Sequence, residues 1–157
     1  MYVDNRMAAV ALVALLTVVT ASFALVFMGL SGSESDEREA SHEYVLTGTV
    51  DGAECTGTGT SEYVNETGSG RVFQFTFTAV TDSGSRTLEF GIAFDLEDSP
   101  NASIYRSLGT ADIDGETVGV WSYSEDGIEY TFYVGELCTV ERVCIASSNY
   151  EITGVIV

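Results

Sequence analysis

The sequence predicts an all-β domain that follows one N-terminal membrane-spanning helix. Three observations lead to this prediction. Apolar and polar residues alternate through most of the chain after residue 43, tight-turn residues separate these stretches, and the segment 7–30 contains no charged residue. About eight short strands joined by tight turns are typical of a small barrel or a curled sandwich, and successive hairpins favour an antiparallel meander.

The strands are predicted from period-two patterns and from the turns between them. In RVFQFTFTAV (71–80) every second residue from Phe73 to Phe77 is aromatic, so one face of this strand belongs to a core. The turn sequences Asp51-Gly52, TDSGS and SEDG are of the kind that joins hairpin strands. The predicted strands are 44–50, 53–59, 71–80, 86–95, 116–123, 128–134, 137–146 (one strand or two short ones) and 150–157.

The segment 7–30 is long and apolar enough to cross a membrane. As a helix it measures about 36 Å, which exceeds the roughly 30 Å of a hydrocarbon core. Arg6 precedes it, and the polar, acid-rich linker 31–43 follows it. The positive-inside rule therefore places residues 1–6 in the cytoplasm and the domain 44–157 outside. The sequence thus predicts a single-pass protein of the cell membrane, with this helix as its signal-anchor.

Two other fates of the N-terminal segment are compatible with the sequence. Ser22-Phe23-Ala24 has the small-x-small pattern of a signal-peptide cleavage site, and cleavage there predicts a secreted domain. Cleavage after Arg6 would instead leave an apolar helix in front of a β domain, which is the layout of a pilin-like filament subunit. Of the three possible fates of this segment, we predict that it remains as an uncleaved membrane anchor.

The charge balance excludes some partners. The chain has 24 acidic residues, its six basic residues are all arginine, and its net charge is −18. Such a surface repels phosphate backbones and anionic lipid headgroups, so no nucleic-acid partner is expected. It suits a protein or cation partner with positive charge, and it also serves solubility. The sequence leaves the oligomeric state open.

The three cysteines, Cys55, Cys138 and Cys144, are disulfide candidates in a domain outside the cytoplasm. If 137–146 is one strand, Cys138 and Cys144 lie about 20 Å apart and cannot bond. If the chain turns between them, they face each other and can bond. Cys55 can instead pair with either one across the sheet. With His42 as the single histidine and no CxxC spacing, a zinc site within one chain is not expected.

The weak candidate for a metal site is Asp112-Ile-Asp114-Gly115-Glu116. Carboxylates around a glycine resemble the front of a calcium loop, so Asp112, Asp114 and Glu116 are candidate calcium ligands. The full spacing of a calcium loop is absent, and the same residues are more simply explained as an Asp-Gly turn before a strand. Apart from calcium, no cofactor is expected.

Other candidate sites depend on short patterns. Asp95, Glu97 and Asp98 follow a strand and could act as paired carboxylates of a small hydrolase, but such clusters arise by chance in an acidic chain. His42 beside Ser41 falls in the linker, without a rigid scaffold. Asn65 and Asn101 begin N-x-[ST] motifs in predicted loops and are glycosylation candidates.

Trp121 and the tyrosines are a candidate ligand-contacting patch, although the alternation of Trp121 with Val118 and Val120 is explained more simply by a core face and an amphipathic face. The sequence contains no catalytic constellation. We therefore expect a membrane-anchored, acidic β domain outside the cytoplasm with a non-catalytic binding or envelope role and not an enzyme. A pilin-like filament or cell-surface subunit and a small carboxylate-dependent hydrolase are the alternatives.

Overall fold

The computed structural model of the chain describes residues 37–67 and 70–157. The predicted cytoplasmic N-terminus 1–6, the predicted membrane helix 7–30 and most of the linker 31–43 lie outside the described residues. Among the residues that are described, no helix has the length and apolar character needed to cross a membrane. A short 3₁₀ turn at Glu37–Glu39 leads into the first strand.

The described residues form nine strands in one open antiparallel sheet. The strands are β1 (His42–Val50), β2 (Ala53–Thr67), β3 (Gly70–Thr81), β4 (Gly84–Ala93), β5 (Arg106–Ile113), β6 (Glu116–Glu125), β7 (Ile128–Val134), β8 (Val140–Ala146) and β9 (Tyr150–Ile156). This confirms the prediction of an antiparallel all-β domain. All nine strands belong to one open sheet, so the described residues do not form the closed barrel that was one of the two predicted alternatives.

The strand order is β4-β3-β2-β1-β9-β8-β7-β6-β5. Strands β1 to β4 form one meander and β5 to β9 form another, whereas the hairpin pattern predicted a single meander. The first and last strands join the two meanders, with Leu46 opposite Gly154 in an antiparallel pair. The segment 94–105 connects β4 to β5, which are the two edges of the sheet.

The turns explain why the hairpins form where they do. Asp51, Asp114 and Asp126 all have φ near +50°, and each is followed by a glycine with positive φ. Two consecutive residues with positive φ make the tight turn that matches the right-handed twist of paired strands. Aspartate tolerates this backbone better than most residues, and glycine adopts it without strain.

The core lies on one face of the sheet, which curls around it. Phe90 on β4 and Phe132 on β7 are separated by five strands in the order, yet their ring centroids are 6.2 Å apart. The inner faces of the two halves of the sheet therefore pack against each other. The largest fully buried side chains of this core are Tyr44, Phe75, Phe77, Phe94, Phe132, Leu46, Ile92, Ile145, Ile152 and Val143. Val72 and Val118 are also fully buried but lie outside this cluster.

Three local predictions need correction. Strand β5 was not predicted, because its exposed sequence RSLGTADI has no apolar alternation. His42 is not in a linker but is the first residue of β1, opposite Ser61. The segment 137–146 contains a single strand that starts at Val140, while Leu137 and Cys138 precede it with φ of 53° and 58°.

Candidate functional site

The outer face of the sheet, opposite the core, is rich in threonine on β1 to β4 and at the adjoining position of β9. We call this surface the threonine face. It consists of Thr47 and Thr49 on β1, Thr56, Thr58 and Thr60 on β2, Thr76 and Thr78 on β3, Thr87 on β4 and Thr153 on β9.

Strand register aligns these threonines in rows. Thr47 lies opposite Thr56 on one side and Thr153 on the other. Thr78 lies between Thr58 and Thr87, and its Oγ1 is 3.3 Å from the Oγ1 of Thr87. Neighbouring strands are about 4.8 Å apart and alternate residues along a strand about 6.7 Å apart, which sets the spacing of the threonines within and between rows. The exposed Val45, Val80 and Val155 interrupt these rows.

The residues between the threonines explain the Thr-Gly alternation of β2. Gly57 and Gly59 occupy the inward positions of TGTGT, and a Cβ at Gly59 would overlap the Phe77 ring. Glycine therefore lets Phe77 lie against the sheet while threonine faces outward. Threonine is enriched in strands generally, but the outer positions of β6 to β8 contain one threonine, Thr131, beside residues such as Val120, Tyr133 and Arg142.

A surface depression of about 540 Å³ lies at one end of the threonine face. It is lined by Thr47, Gly48, Thr49, Glu54, Cys55, Thr56, Glu151 and Thr153. The register places Glu54 and Glu151 on either side of Thr49. Gly48 lacks a side chain that would otherwise overlap the Glu151 carbonyl oxygen, so β1 and β9 approach closely here.

The lining can form hydrogen bonds but offers no activated nucleophile. Each threonine hydroxyl donates one hydrogen bond and accepts two, and each carboxylate accepts strong, charge-assisted hydrogen bonds. Cys55 is buried, and burial raises the pKa of its thiol, so the reactive thiolate is disfavoured. The depression therefore suits a ligand that carries many hydroxyl groups and no negative charge.

The candidate calcium ligands lie at the β5–β6 turn. Asp114 and Gly115 are the central turn residues, and the three carboxylates of Asp112, Asp114 and Glu116 are exposed. Burial raises the pKa of the nearby Glu141, with further contributions from the charges of Glu116 and Asp114. In the part of the chain that the structure describes, no group of three or more His, Cys, Asp or Glu side chains is arranged to hold a metal ion. Calcium binding stays a prediction.

The carboxylates proposed for hydrolysis have structural partners. Asp95 Oδ1 accepts hydrogen bonds from the backbone N–H groups of Glu97 (2.8 Å) and Ser99 (3.1 Å), which shapes the loop. Asp98 lies between two arginines, 2.8 Å from Arg38 Nε and 2.7 Å from Arg71 Nη1. Positioned in this way, Asp95 and Asp98 stabilise the 94–105 connection.

A cluster of four charged residues and one thiol connects the start of the domain to two loops. It consists of Arg38, Glu39, Arg71, Asp98 and Cys138. The Nε atom of Arg71 is 3.6 Å from Glu39 Oε1, and the Cys138 thiol donates to Asp98 Oδ1 at 3.5 Å. Burial, with help from the negative charge of Asp98, raises the pKa of Cys138 to about 12. The Cys138 thiol is therefore protonated and unreactive at neutral pH.

The three cysteines are all free thiols in the structure, with Cys55 and Cys138 buried and Cys144 half-buried. Thr153 Oγ1 donates to the sulfur of Cys144 at 3.7 Å on the outer face. The structure therefore brings no two of the candidate cysteines together in a bond. Disulfide formation stays a prediction.

The two glycosylation candidates differ in setting. Asn65 belongs to strand β2 and not to a loop, just after an irregularity in the β2–β3 register. Asn101 lies in the 94–105 connection, where its Oδ1 accepts hydrogen bonds from the N–H (3.0 Å) and the hydroxyl (2.6 Å) of Ser103. Modification of either asparagine stays a prediction.

The threonine face was not predicted, although the sequence contains a signal for it. TxT occurs in LTGTV, CTGTGTS and FTFTAV, which become three adjacent strands. Threonines two apart share one face of a strand, so the repeated spacing indicates an aligned surface once the strands are paired. A comparison of the chain with protein-family models found no match, and a search of curated proteins found none either.

Proposed function

We propose that this chain is a non-catalytic binding protein, held at the outer side of a cell membrane by its N-terminal segment, that recognises a neutral, hydroxyl-rich polymer such as a polysaccharide. The observation that carries the proposal is the row of aligned threonine hydroxyls that ends in a depression with two carboxylates. The ligand class follows from the chemistry of these groups.

Several weak contacts at regular spacing suit a repeating ligand. A single hydrogen bond between neutral hydroxyls contributes only about 0.5–1.5 kcal/mol in water. A polymer that contacts several threonines at once gains from effective concentration, since each further contact is intramolecular. Glu54 and Glu151 would accept hydrogen bonds from polymer hydroxyls, and they would repel a sulfated or phosphorylated chain.

A hydrolase is the less favoured proposal. Asp95 and Asp98 hold loop amides and arginines, so they are not directed together toward a common substrate position. Catalysis by two carboxylates needs both groups to flank the bond that is cleaved. A cell-surface subunit that assembles through its N-terminal segment stays an alternative proposal, which the membrane experiment below tests.

Polymer binding is tested with the full chain in mild detergent. Co-sedimentation with insoluble cellulose and chitin, and titration with soluble dextran, would measure binding to neutral polymers, and dextran sulfate is the anionic comparison. Thr47→Val with Thr153→Val keeps the β-branched shape but removes two adjacent hydroxyls beside the depression. We expect at least about tenfold weaker binding, equivalent to about 1.4 kcal/mol.

Thr131→Val is the matched control, because Thr131 faces outward on β7, beyond the threonine face. It should leave polymer binding unchanged. Binding to dextran sulfate in preference to the neutral polymers, or equal loss of binding in the control, would contradict the proposed ligand class. Failure of all the neutral polymers to bind would remove the threonine face as their site.

The membrane anchor is tested separately, by the intact mass of the native protein in membrane and soluble fractions. A full-length mass in the membrane fraction is the expected result. A mass that begins near residue 7 would favour a filament subunit, and a soluble form that begins near residue 25 would make the protein secreted.

A further inference from the structure

Trp121 occupies the boundary between the core and the edge of the sheet. On β6 it lies opposite Phe132 of β7 on one side and Ser107 of β5 on the other. Its side chain is half-buried and packs against the core cluster. The side toward β7 is therefore apolar, while the side toward β5 is a free sheet edge.

Trp121 differs from the other inward-facing aromatic residues in its contacts. Phe75, Phe90 and Phe132 each make several ring–ring contacts, and Phe75 stacks on Phe90 with centroids 5.0 Å apart. Among the described residues, Trp121 takes part in no ring pair. An indole has the largest aromatic surface of any side chain, and aromatic surfaces in a core usually pair with one another.

The surroundings of the indole on the β5 side are small and hydroxylated. Gly119 is two residues before Trp121 on the same face, and a Cβ there would be 3.0 Å from Trp121 Nε1, so the indole lies beside the bare glycine. Thr110 is opposite Gly119, and Ser107 is opposite Trp121. Ser107 and Thr110 are both exposed.

We infer that Trp121 is a stacking platform for one sugar ring, approached from the free β5 edge. The C–H face of a pyranose is apolar and gains by leaving water on an aromatic surface, while the ring hydroxyls remain at its rim. Ser107 and Thr110 supply hydroxyl partners at that rim. This inference deepens the proposed function, because it adds a second contact for the same class of ligand on the opposite face.

An organic cation is the other ligand that an indole face attracts, and the net charge of −18 would draw cations to the domain. The direct neighbours of Trp121 favour the sugar. Its cross-strand and same-face neighbours are Ser107, Phe132, Gly119 and Tyr123, and none of these is a carboxylate that would hold a cation over the ring.

The platform is tested by fluorescence, because Trp121 is the single tryptophan of the chain. The full chain in mild detergent would be titrated with hexasaccharides of glucose, N-acetylglucosamine and mannose, and in parallel with choline. A saturable change in tryptophan emission with a hexasaccharide, and none with choline, is the expected result. Ser107→Ala with Thr110→Val should raise the apparent Kd by at least about fivefold, since two hydrogen bonds are lost.

The outcomes separate this inference from the polymer site. Thr47→Val with Thr153→Val should leave the fluorescence titration unchanged, because those residues face the other side of the sheet. A fluorescence response without polymer binding would remove the threonine face and keep the platform. No response to any hexasaccharide, or a response to choline alone, would overturn the platform even if polymer binding is found.

Discussion

The hydroxyl group of Tyr44 donates a 2.7 Å hydrogen bond to the carbonyl oxygen of Val140, 96 residues further along the chain. Tyr44 belongs to β1 and Val140 begins β8, with β9 between them in the sheet. Both residues are buried. The bond therefore links the N-terminal meander to the C-terminal one from inside the curled sheet.

Tyr44→Phe is expected to destabilise the domain by about 1–3 kcal/mol, because the buried Val140 carbonyl would lose its donor without access to water. Denaturant unfolding of the full chain in mild detergent measures this. Tyr133→Phe, on the outer face beside Arg142, is the control and should stay within about 0.5 kcal/mol of the parent. Equal effects of the two substitutions would mean that the Tyr44 bond does not link the meanders.

Gly154→Ala is expected to destabilise the fold through its contact with Phe77. The added Cβ would lie 2.6 Å from Phe77 Cε2 and 3.0 Å from Leu46 Cδ2 in a fully buried region. Overpacking of this kind costs about 1–3 kcal/mol. Thermal unfolding would measure it, with Thr153→Ala as the outward-facing neighbour for comparison.

A second substitution tests the cause of the Gly154 effect. Phe77→Leu shortens the ring that the new methyl group contacts, so the double variant should be more stable than the sum of the single effects by at least about 0.5 kcal/mol. If the free energies of unfolding lost in the two single variants simply added in the double variant, the destabilisation by Gly154→Ala would come from the β9 backbone and not from the contact with Phe77.

The elements predicted from the sequence were those fixed by neighbouring residues. The Asp51-Gly52 and Asp126-Gly127 pairs both form turns with positive φ, because local backbone preferences dominate there. The alternation around Phe75 placed the core face of β3 correctly, since side chains alternate along any strand. These signals depend on only a few residues of sequence.

The remainder depends on contacts between distant segments. The pairing of β1 with β9 brings Leu46 beside Gly154, and no short pattern identifies one as the partner of the other. Gly154 makes room for Phe77 of a distant strand, and the register irregularities at Tyr63/Asn65, Ser107/Gly109 and Tyr133/Val134 likewise arise between paired strands. The threonine face likewise depends on strand pairing and becomes visible only in the sheet.

Asp98→Asn is expected to activate the Cys138 thiol. The negative charge of Asp98 and its hydrogen bond help to keep the pKa of Cys138 near 12, while Arg71 and Arg38 act in the opposite direction. Removal of the charge leaves the arginines beside the sulfur and lowers this pKa. Each pKa unit by which it falls gives about tenfold more thiolate, so alkylation of Cys138 by iodoacetamide should accelerate.

Arg38→Gln, which removes a positive charge from the same cluster, provides the opposite test. Loss of its positive charge should raise the pKa of Cys138 further and slow alkylation, whereas simple loosening of the loop would accelerate it in both variants. Mass spectrometry of alkylated peptides gives the rate for each cysteine, with the half-buried Cys144 as internal reference. Acceleration in both variants would show that the cluster acts by packing and not by charge.

Glu141→Gln is expected to stabilise the domain at neutral pH. Burial raises the pKa of the Glu141 carboxyl, and the charges of Glu116 and Asp114 add to this, while His42 opposes it. A raised carboxyl pKa means that the folded state holds the proton more tightly than the unfolded state does. Ionised Glu141 therefore destabilises the folded state at pH values above the raised pKa. This loss of stability disappears as the pH falls below the ordinary carboxyl pKa.

The difference in melting temperature between parent and Glu141→Gln should accordingly be positive at pH 7 and shrink toward zero as the pH is lowered. Glu129→Gln is the matched control, since Glu129 is an exposed carboxylate on β7, and it should show no such convergence. If the gain from Glu141→Gln persisted at low pH, its source would be the shape or hydrogen bonding of the amide.

Since the carboxylates of Asp114 and Glu116 contribute to the raised pKa, the same measurement with calcium added would also report on the β5–β6 turn. Calcium that binds these carboxylates would offset their charge and reduce the difference at pH 7.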